Sequence, residues 1–207
     1  MVKLFFAFSI GLCLFFRICG VNISSATDTR PYQPDIVGSS SPEIGPSSVI
    51  DPNNIDTDLL KSLVHEKVNA VRRSKGCAVL DTDALLDEAA AEQAGYVTQR
   101  GSLSHEQPSP EKANVMKRVK LVGGKFVPVG ENLLYQGFVH RTENGHERIL
   151  YPTYEEMAKD MVKGWTKSKP HYANMIDREF KYAGTAVSYS YKKGGFFAAQ
   201  VFGGTKK

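Results

Sequence analysis

Three polar side chains can share chemistry in this chain. His105 lies in the segment SLSHEQ, His171 in SKPHYAN, and Glu131 stands between them in sequence within VPVGENLL. Glu131 is flanked by Val127, Val129 and Gly130 on one side and by Leu133 and Leu134 on the other. A carboxylate among apolar neighbours needs partners, because an unpaired buried charge is costly. Two imidazoles on separate segments supply donors for a divalent ion such as zinc. Glu131 would then serve as a third ligand, or as the hydrogen-bond orienter of one ring. If the chain is an enzyme, His105, Glu131 and His171 are its catalytic candidates, with the carboxylate acting as base on a bound water. A third arrangement needs no reaction at all: the trio can be a polar network that fixes the packing of three segments.

The remaining histidines are less placed for chemistry. His65 falls inside a helical pattern beside Glu66, and His140 and His146 bracket FVHRTENGHE, which reads as a surface loop. The chain has no HExxH, CxxC, GxSxG or phosphate-loop motif. Ser104 and Ser168 stand near histidines in sequence, but neither sits on a nucleophile elbow.

The elements that must position the trio are readable from periodicity. Leu60, Leu63, Val64, Val68 and Val71 recur at helical spacing and predict a helix from Asp56 to Lys75, ended by Gly76. A second, alanine-rich helix is predicted from Asp83 to Arg100, and a short one from Ala113 to Lys120. Thr153 and Glu156 form a capping box for a helix from Tyr154 to Lys169, stopped by Pro170. Met157, Met161 and Trp165 line one face of that helix and read as core. Strands are predicted over Val129–Gln136, Tyr182–Tyr191 and Phe196–Phe202, the last two paired through the turn at Lys192-Lys-Gly-Gly195.

The chain has 207 residues and a formal charge of +4. Its basic residues fall in scattered clusters: Arg72, Arg73 and Lys75; Lys112, Lys117, Arg118 and Lys120; Lys163, Lys167 and Lys169. These read as solvated helix faces, and without interleaved aromatics they do not describe a nucleic-acid surface. Leu4 to Phe16 is an apolar run after Lys3, too short for a membrane span and suited to the core of a secretory signal. Ser24 and Ala26 fit a cleavage after Ala26, giving a signal peptide over 1–26 and no membrane span afterwards. Residues 27–54, rich in proline, serine and glycine, read as a disordered linker, leaving 55–207 as one domain. Cys77 is then the only mature cysteine, so no internal disulfide can form.

Between residues 58 and 203 a set of motifs occurs in order. It runs from Asn69-Ala-Val-Arg72 and Gly76 through Leu80, Asp83 and Leu85 to Ser104-His105 and Gly130-Glu131-Asn132. Trp165-Thr-Lys-Ser168-Lys-Pro-His171-Tyr-Ala-Asn174 and Tyr182-Ala-Gly184 complete it. This ordered set resembles the CAP superfamily of cysteine-rich secretory, antigen 5 and pathogenesis-related 1 proteins, whose module is also called the SCP domain. The resemblance implies an α/β fold, an α-β-α sandwich with a central antiparallel sheet flanked by helices. It places His105, His171 and Glu131 in one cleft. Family members with a second cleft glutamate carry it where this chain has Ser168, which makes the chain similar to a simpler, disulfide-free, bacterial-like subgroup. Loss of that carboxylate argues against a two-carboxylate acid–base mechanism. The resemblance therefore implies a secreted, non-enzymatic protein. Its expected ligand is a small lipid or sterol, or an extracellular protein partner, with a divalent metal such as zinc on the histidines. Within that picture Ser168 would hold a bridging water, Asn174 would fix the backbone after His171, and Trp165 would form core behind the cleft. The loop over 138–152 would supply individual specificity.

Overall fold

The computed structural model describes residues 43–144 and 146–207. The expected signal peptide, and the linker up to residue 42, lie outside the described residues.

Helix α1 covers Thr57–Ser74, and Asp56 caps it by accepting from the Leu59 amide at 2.8 Å. The short strand β1, Asp81–Thr82, leads to α2, Ala84–Arg100, which Asp83 caps and a left-handed Gly101 ends. Helix α3 spans Val115–Leu121 behind the Asn114 cap. Strand β2, Phe126–Gly137, precedes a hairpin of β3, Val139–Glu143, and β4, His146–Leu150. Helix α4, Tyr154–Lys167, begins at the expected Thr153–Glu156 capping box. Helix α5 follows over Lys169–Ile176, and β5, Tyr182–Ser190, pairs with β6, Gly195–Lys206.

The main sheet has the order β1-β5-β6-β2 and is antiparallel except for the two-residue pairing of β1 with β5. Side chains alternate across it with period two. On β6, Phe196, Ala198 and Phe202 enter a core with α1 and α4, while Phe197, Ala199 and Val201 enter a second core with α2 and α3. Burying both faces of one sheet makes the α-β-α sandwich. Trp165, Met157 and Met161 are fully buried in the first core, and the Trp165 indole N–H donates to the Leu133 carbonyl of β2 at 3.2 Å.

Gly184 is where α2 meets the sheet. A Cβ there would lie 2.0 Å from the Leu86 carbonyl carbon and 2.1 Å from the Asp87 amide. Both are backbone atoms of a packed helix, so they cannot yield as a flexible side chain would. Gly184→Ala is expected to destabilise the fold by about 3 kcal/mol, at the upper end of overpacking costs, read as a lowered midpoint in chemical denaturation.

Three expectations need correction. Residues 43–54 were assigned to the linker, yet they pack on the domain. Ile50 is buried, the Ser48 and Pro46 carbonyls accept from the Tyr154 and Glu155 amides, and the Ile50 amide donates to Pro152. The cause is the exposed N-terminus of α4, whose first-turn amides need acceptors that a proline- and serine-rich strand can offer. Pro170 does not simply stop a helix. The break comes at Ser168, in extended conformation, and Pro170 sits in the first turn of α5, where its missing N–H costs nothing. The segment 138–152 is not an irregular loop, since most of it forms the β3–β4 hairpin.

Candidate functional site

Strand β2 carries the Gly-Glu-Asn motif opposite Phe202, Val201 and Gln200 of β6. Alternation sends Glu131 and Asn132 to opposite sides of the sheet. Gly130 leaves room for Phe180, whose ring would stand 2.8 Å from a Cβ at that position.

The Glu131 side chain is 2% exposed and both carboxylate oxygens are engaged. Oε1 lies 2.8 Å from His105 Nδ1, and Oε2 accepts from Arg118 Nη2 at 2.6 Å. Arg118 comes from α3 and is fully buried. Its Nη1 also donates to the His105 carbonyl at 3.2 Å and to the Lys112 carbonyl at 2.9 Å. One guanidinium therefore neutralises Glu131 and ties down both the His105 loop and the approach to its own helix. The loop is held from the other side by Gln93 of α2, which donates to the Ser104 carbonyl and accepts from Gln107.

Asn132 and Asn174 place the second histidine. Asn132 Nδ2 donates to the His171 carbonyl at 3.0 Å, and Asn174 Nδ2 donates to Asn132 Oδ1 at 2.9 Å and to the Glu131 carbonyl at 3.3 Å. Asn174 thus bridges α5 to β2 instead of fixing the turn after His171, which corrects the local role expected for it. The two imidazoles face one another at a tilt, with centroids 6.5 Å apart. Burial, and then the neighbouring His105, hold the His171 imidazole below its ordinary pKa. Its neutral form, the form that can bind a metal, therefore persists to lower pH. The linkage has a definite sign: the unfolded chain takes up this proton first, so stability falls as pH drops through the histidine range.

The structure brings His105, Glu131 and His171 together. Among the described residues, however, no group of three or more His, Cys, Asp and Glu side chains is arranged to hold a metal ion. Glu131 is already occupied, so the donor set fits two imidazoles and not three ligands. Ser104 turns inward to its own loop, its hydroxyl donating to the Glu106 carbonyl at 2.8 Å. His65 and Asn69 hold the Leu80 carbonyl instead of any ligand.

Arg118 is the site residue that the sequence reading missed. It was grouped with Lys117 and Lys120 as a solvated face. The overlooked signal is helical spacing: Val115, Arg118, Val119 and Val122 recur as i, i+3, i+4 and i+7, which puts Arg118 on the inner side.

An α-β-α sandwich with paired histidines beside a Gly-Glu-Asn strand defines an SCP-type domain. The model of the cysteine-rich secretory protein (CAP) family matches residues 65–202, and the chain belongs to that family. Among solved structures it is similar to an extracellular SCP-domain protein of Bacillus anthracis, with 18% identity and a TM-score of 0.56. That match covers 77% of this chain and 45% of the other. An outer surface protein of Borrelia burgdorferi gives 17% identity and a TM-score of 0.56, covering 74% and 97%. A cysteine-rich secretory protein of Staphylococcus aureus gives 11% identity and a TM-score of 0.52, covering 72% and 40%. The chain thus spans less than half of the Bacillus and Staphylococcus chains and nearly all of the Borrelia one. These likenesses establish the fold. No curated protein matches the chain in sequence.

Proposed function

We propose that this is a secreted or surface-held CAP domain that works as a binding module and not as a hydrolase. The observation that carries the reading is the closed Glu131 carboxylate. One oxygen is committed to His105 and the other to Arg118, so no free carboxylate stands ready as a base for water. What faces outward is the far edge of His105, whose side chain is 56% exposed, beside His171. With Nδ1 on a carboxylate, His105 keeps its other nitrogen available, as metal-binding histidines do. Zinc on His105 and His171, completed by water, fits this donor set, with Glu131 acting through His105. Secretion is supported by the apolar run Leu4–Phe16 and by the extracellular and outer-surface character of the Bacillus and Borrelia proteins. Among the described residues, no helix is long and apolar enough to cross a membrane.

The ligand is a small lipid or sterol, or a protein partner. A groove between α1 and α4 supports the lipid choice. Val71, Val162 and Thr166 line it together with Lys159, Lys163 and the Lys67–Glu155 ion pair, so its excess positive charge suits an anionic head more than its small apolar area suits a long acyl chain. Neither histidine lines that groove.

Calorimetric titration with zinc tests the metal arm. The wild type is expected to bind, and His105→Ala and His171→Ala to lose binding with unchanged circular dichroism. Glu131→Gln should weaken binding by about 10–100-fold, the usual effect of removing a residue that orients a ligand. Absence of zinc binding by the wild type would overturn this arm. Organic extraction and mass spectrometry of the secreted protein tests the lipid arm, and repeated empty preparations would leave the protein partner. Ester or peptide hydrolysis that disappears in His105→Ala would overturn the binding-module reading.

A further inference from the structure

We infer that the outer edge of β5 receives an extended, basic peptide segment as an added strand, at a place separate from the histidine cleft. The sheet ends there. Among the described residues, strand β1 covers the edge only at Tyr182 and Ala183, and no strand of the main sheet pairs with β5 beyond them. The direction of the next backbone groups follows from two bonds. The Ala183 carbonyl accepts from the Asp83 amide, and the Thr185 amide donates to Asp87 Oδ1 at 2.8 Å, so odd-numbered residues point away from β6. Antiparallel alternation then turns Val187 and Tyr189 the same way, each presenting an N–H and a C=O at the edge. Because Asp87 already takes the Thr185 amide, the unpaired edge runs from Val187 to Tyr189, roughly 7 Å at about 3.4 Å per residue, room for about three residues of partner.

Near Val187 the edge opens to solvent through a cavity of about 300 Å³ between α1 and α2, lined in part by Asp58, Lys61, Asp87 and Glu88. Its charge selects the occupant. Lys61, the cation on this rim, already lies 3.2 Å from Asp58 and 3.9 Å from Asp87. Glu88 is exposed, and the rim keeps a negative excess. Main-chain bonds supply affinity in strand addition, and side chains flanking the groove supply selectivity. Lysine or arginine on the incoming strand would meet Glu88 and Asp58. A second copy of this chain would bring an identical acidic rim against the first, and like charges disfavour that pairing.

The test uses the full chain and a fluorescein-labelled heptapeptide of alternating lysine and valine, followed by anisotropy. Binding is expected, with the alternating glutamate–valine peptide at least about 10-fold weaker. Methylating the backbone amides along one edge of the lysine peptide should abolish binding. Hydrogen exchange at Val187 and Tyr189 should slow when the peptide is added, and Glu88→Lys, on an exposed helix face, should weaken binding without changing the fold. Equal affinity for the two peptides, or unchanged exchange at Val187 and Tyr189, would overturn the inference. So would a concentration-dependent dimer in which those amides are protected without peptide.

Discussion

Replacing Arg118 by methionine is expected to destabilise the fold by about 3–5 kcal/mol, the loss typical of breaking a buried ion pair from one side. The Arg118 side chain is 0% exposed and that of Glu131 2%. Methionine leaves Glu131 charged, buried and facing only an imidazole. It also leaves the His105 and Lys112 carbonyls without the donor they now share. Urea denaturation measures the loss, as a midpoint lowered by about 2 M for a slope near 2 kcal/mol/M. The double variant Arg118→Met/Glu131→Gln should recover much of it, because the stranded charge is gone. That recovery separates an ion pair from simple loss of packing, which Glu131→Gln would not repair. An Arg118→Met protein of wild-type stability would mean that Glu131 does not depend on this guanidinium.

The second large effect is expected at Arg72. This residue is 1% exposed and makes no ion pair in the described structure; it acts as a clamp on carbonyls. Its Nε donates to Ala78 at 2.7 Å, Nη1 to Met175 and Asp177, each at 2.8 Å, and Nη2 to Phe180 at 3.2 Å. The guanidinium thus joins the end of α1 to the end of α5 and to the connection before β5. Burial pushes its pKa down from the ordinary arginine value, without a carboxylate partner at bonding distance. Arg72→Met should cost at least about 3 kcal/mol, because four carbonyls lose a charged donor and are left in a water-poor place. Arg72→Lys should recover little, since one ammonium cannot serve a fan of acceptors that a planar guanidinium reaches. Hydrogen exchange would show the loss first in α5, which carries His171. Loss confined to α1 would argue against the clamp.

These two arginines mark where sequence reasoning stopped short. Both were read as members of solvated basic clusters, and both are buried. A charge run looks the same on an exposed face and on an inner face. What differs is whether the fold brings acceptors to it. For Arg118 the acceptor is 13 residues away and for Arg72 up to 108 residues away. Helical spacing hinted at the position of Arg118, but only the packing of α3 over β2 supplied Glu131. Pro170 and residues 43–54 were misread for a related reason. Proline's fixed φ suits a helix start as well as a stop, and residues 43–54 are ordered by the first-turn amides of α4, which their composition does not report.

The sequence by itself determined α1 to α4 and the strands β2, β5 and β6, while the sandwich and the shared cleft of His105, Glu131 and His171 were legible only through the resemblance of the ordered motifs to a family. The elements follow from short-range rules, apolar period and the Thr153–Glu156 capping box, whereas the caps at Asp56 and Asp83 were seen only in the structure. The tertiary structure alone decided what Glu131 does. Its carboxylate was open to three roles until the fold placed Arg118 at 2.6 Å and His105 at 2.8 Å from its two oxygens. Electrostatic partnership falls off over a few ångströms and is indifferent to separation along the chain, so no local pattern could have chosen among those roles.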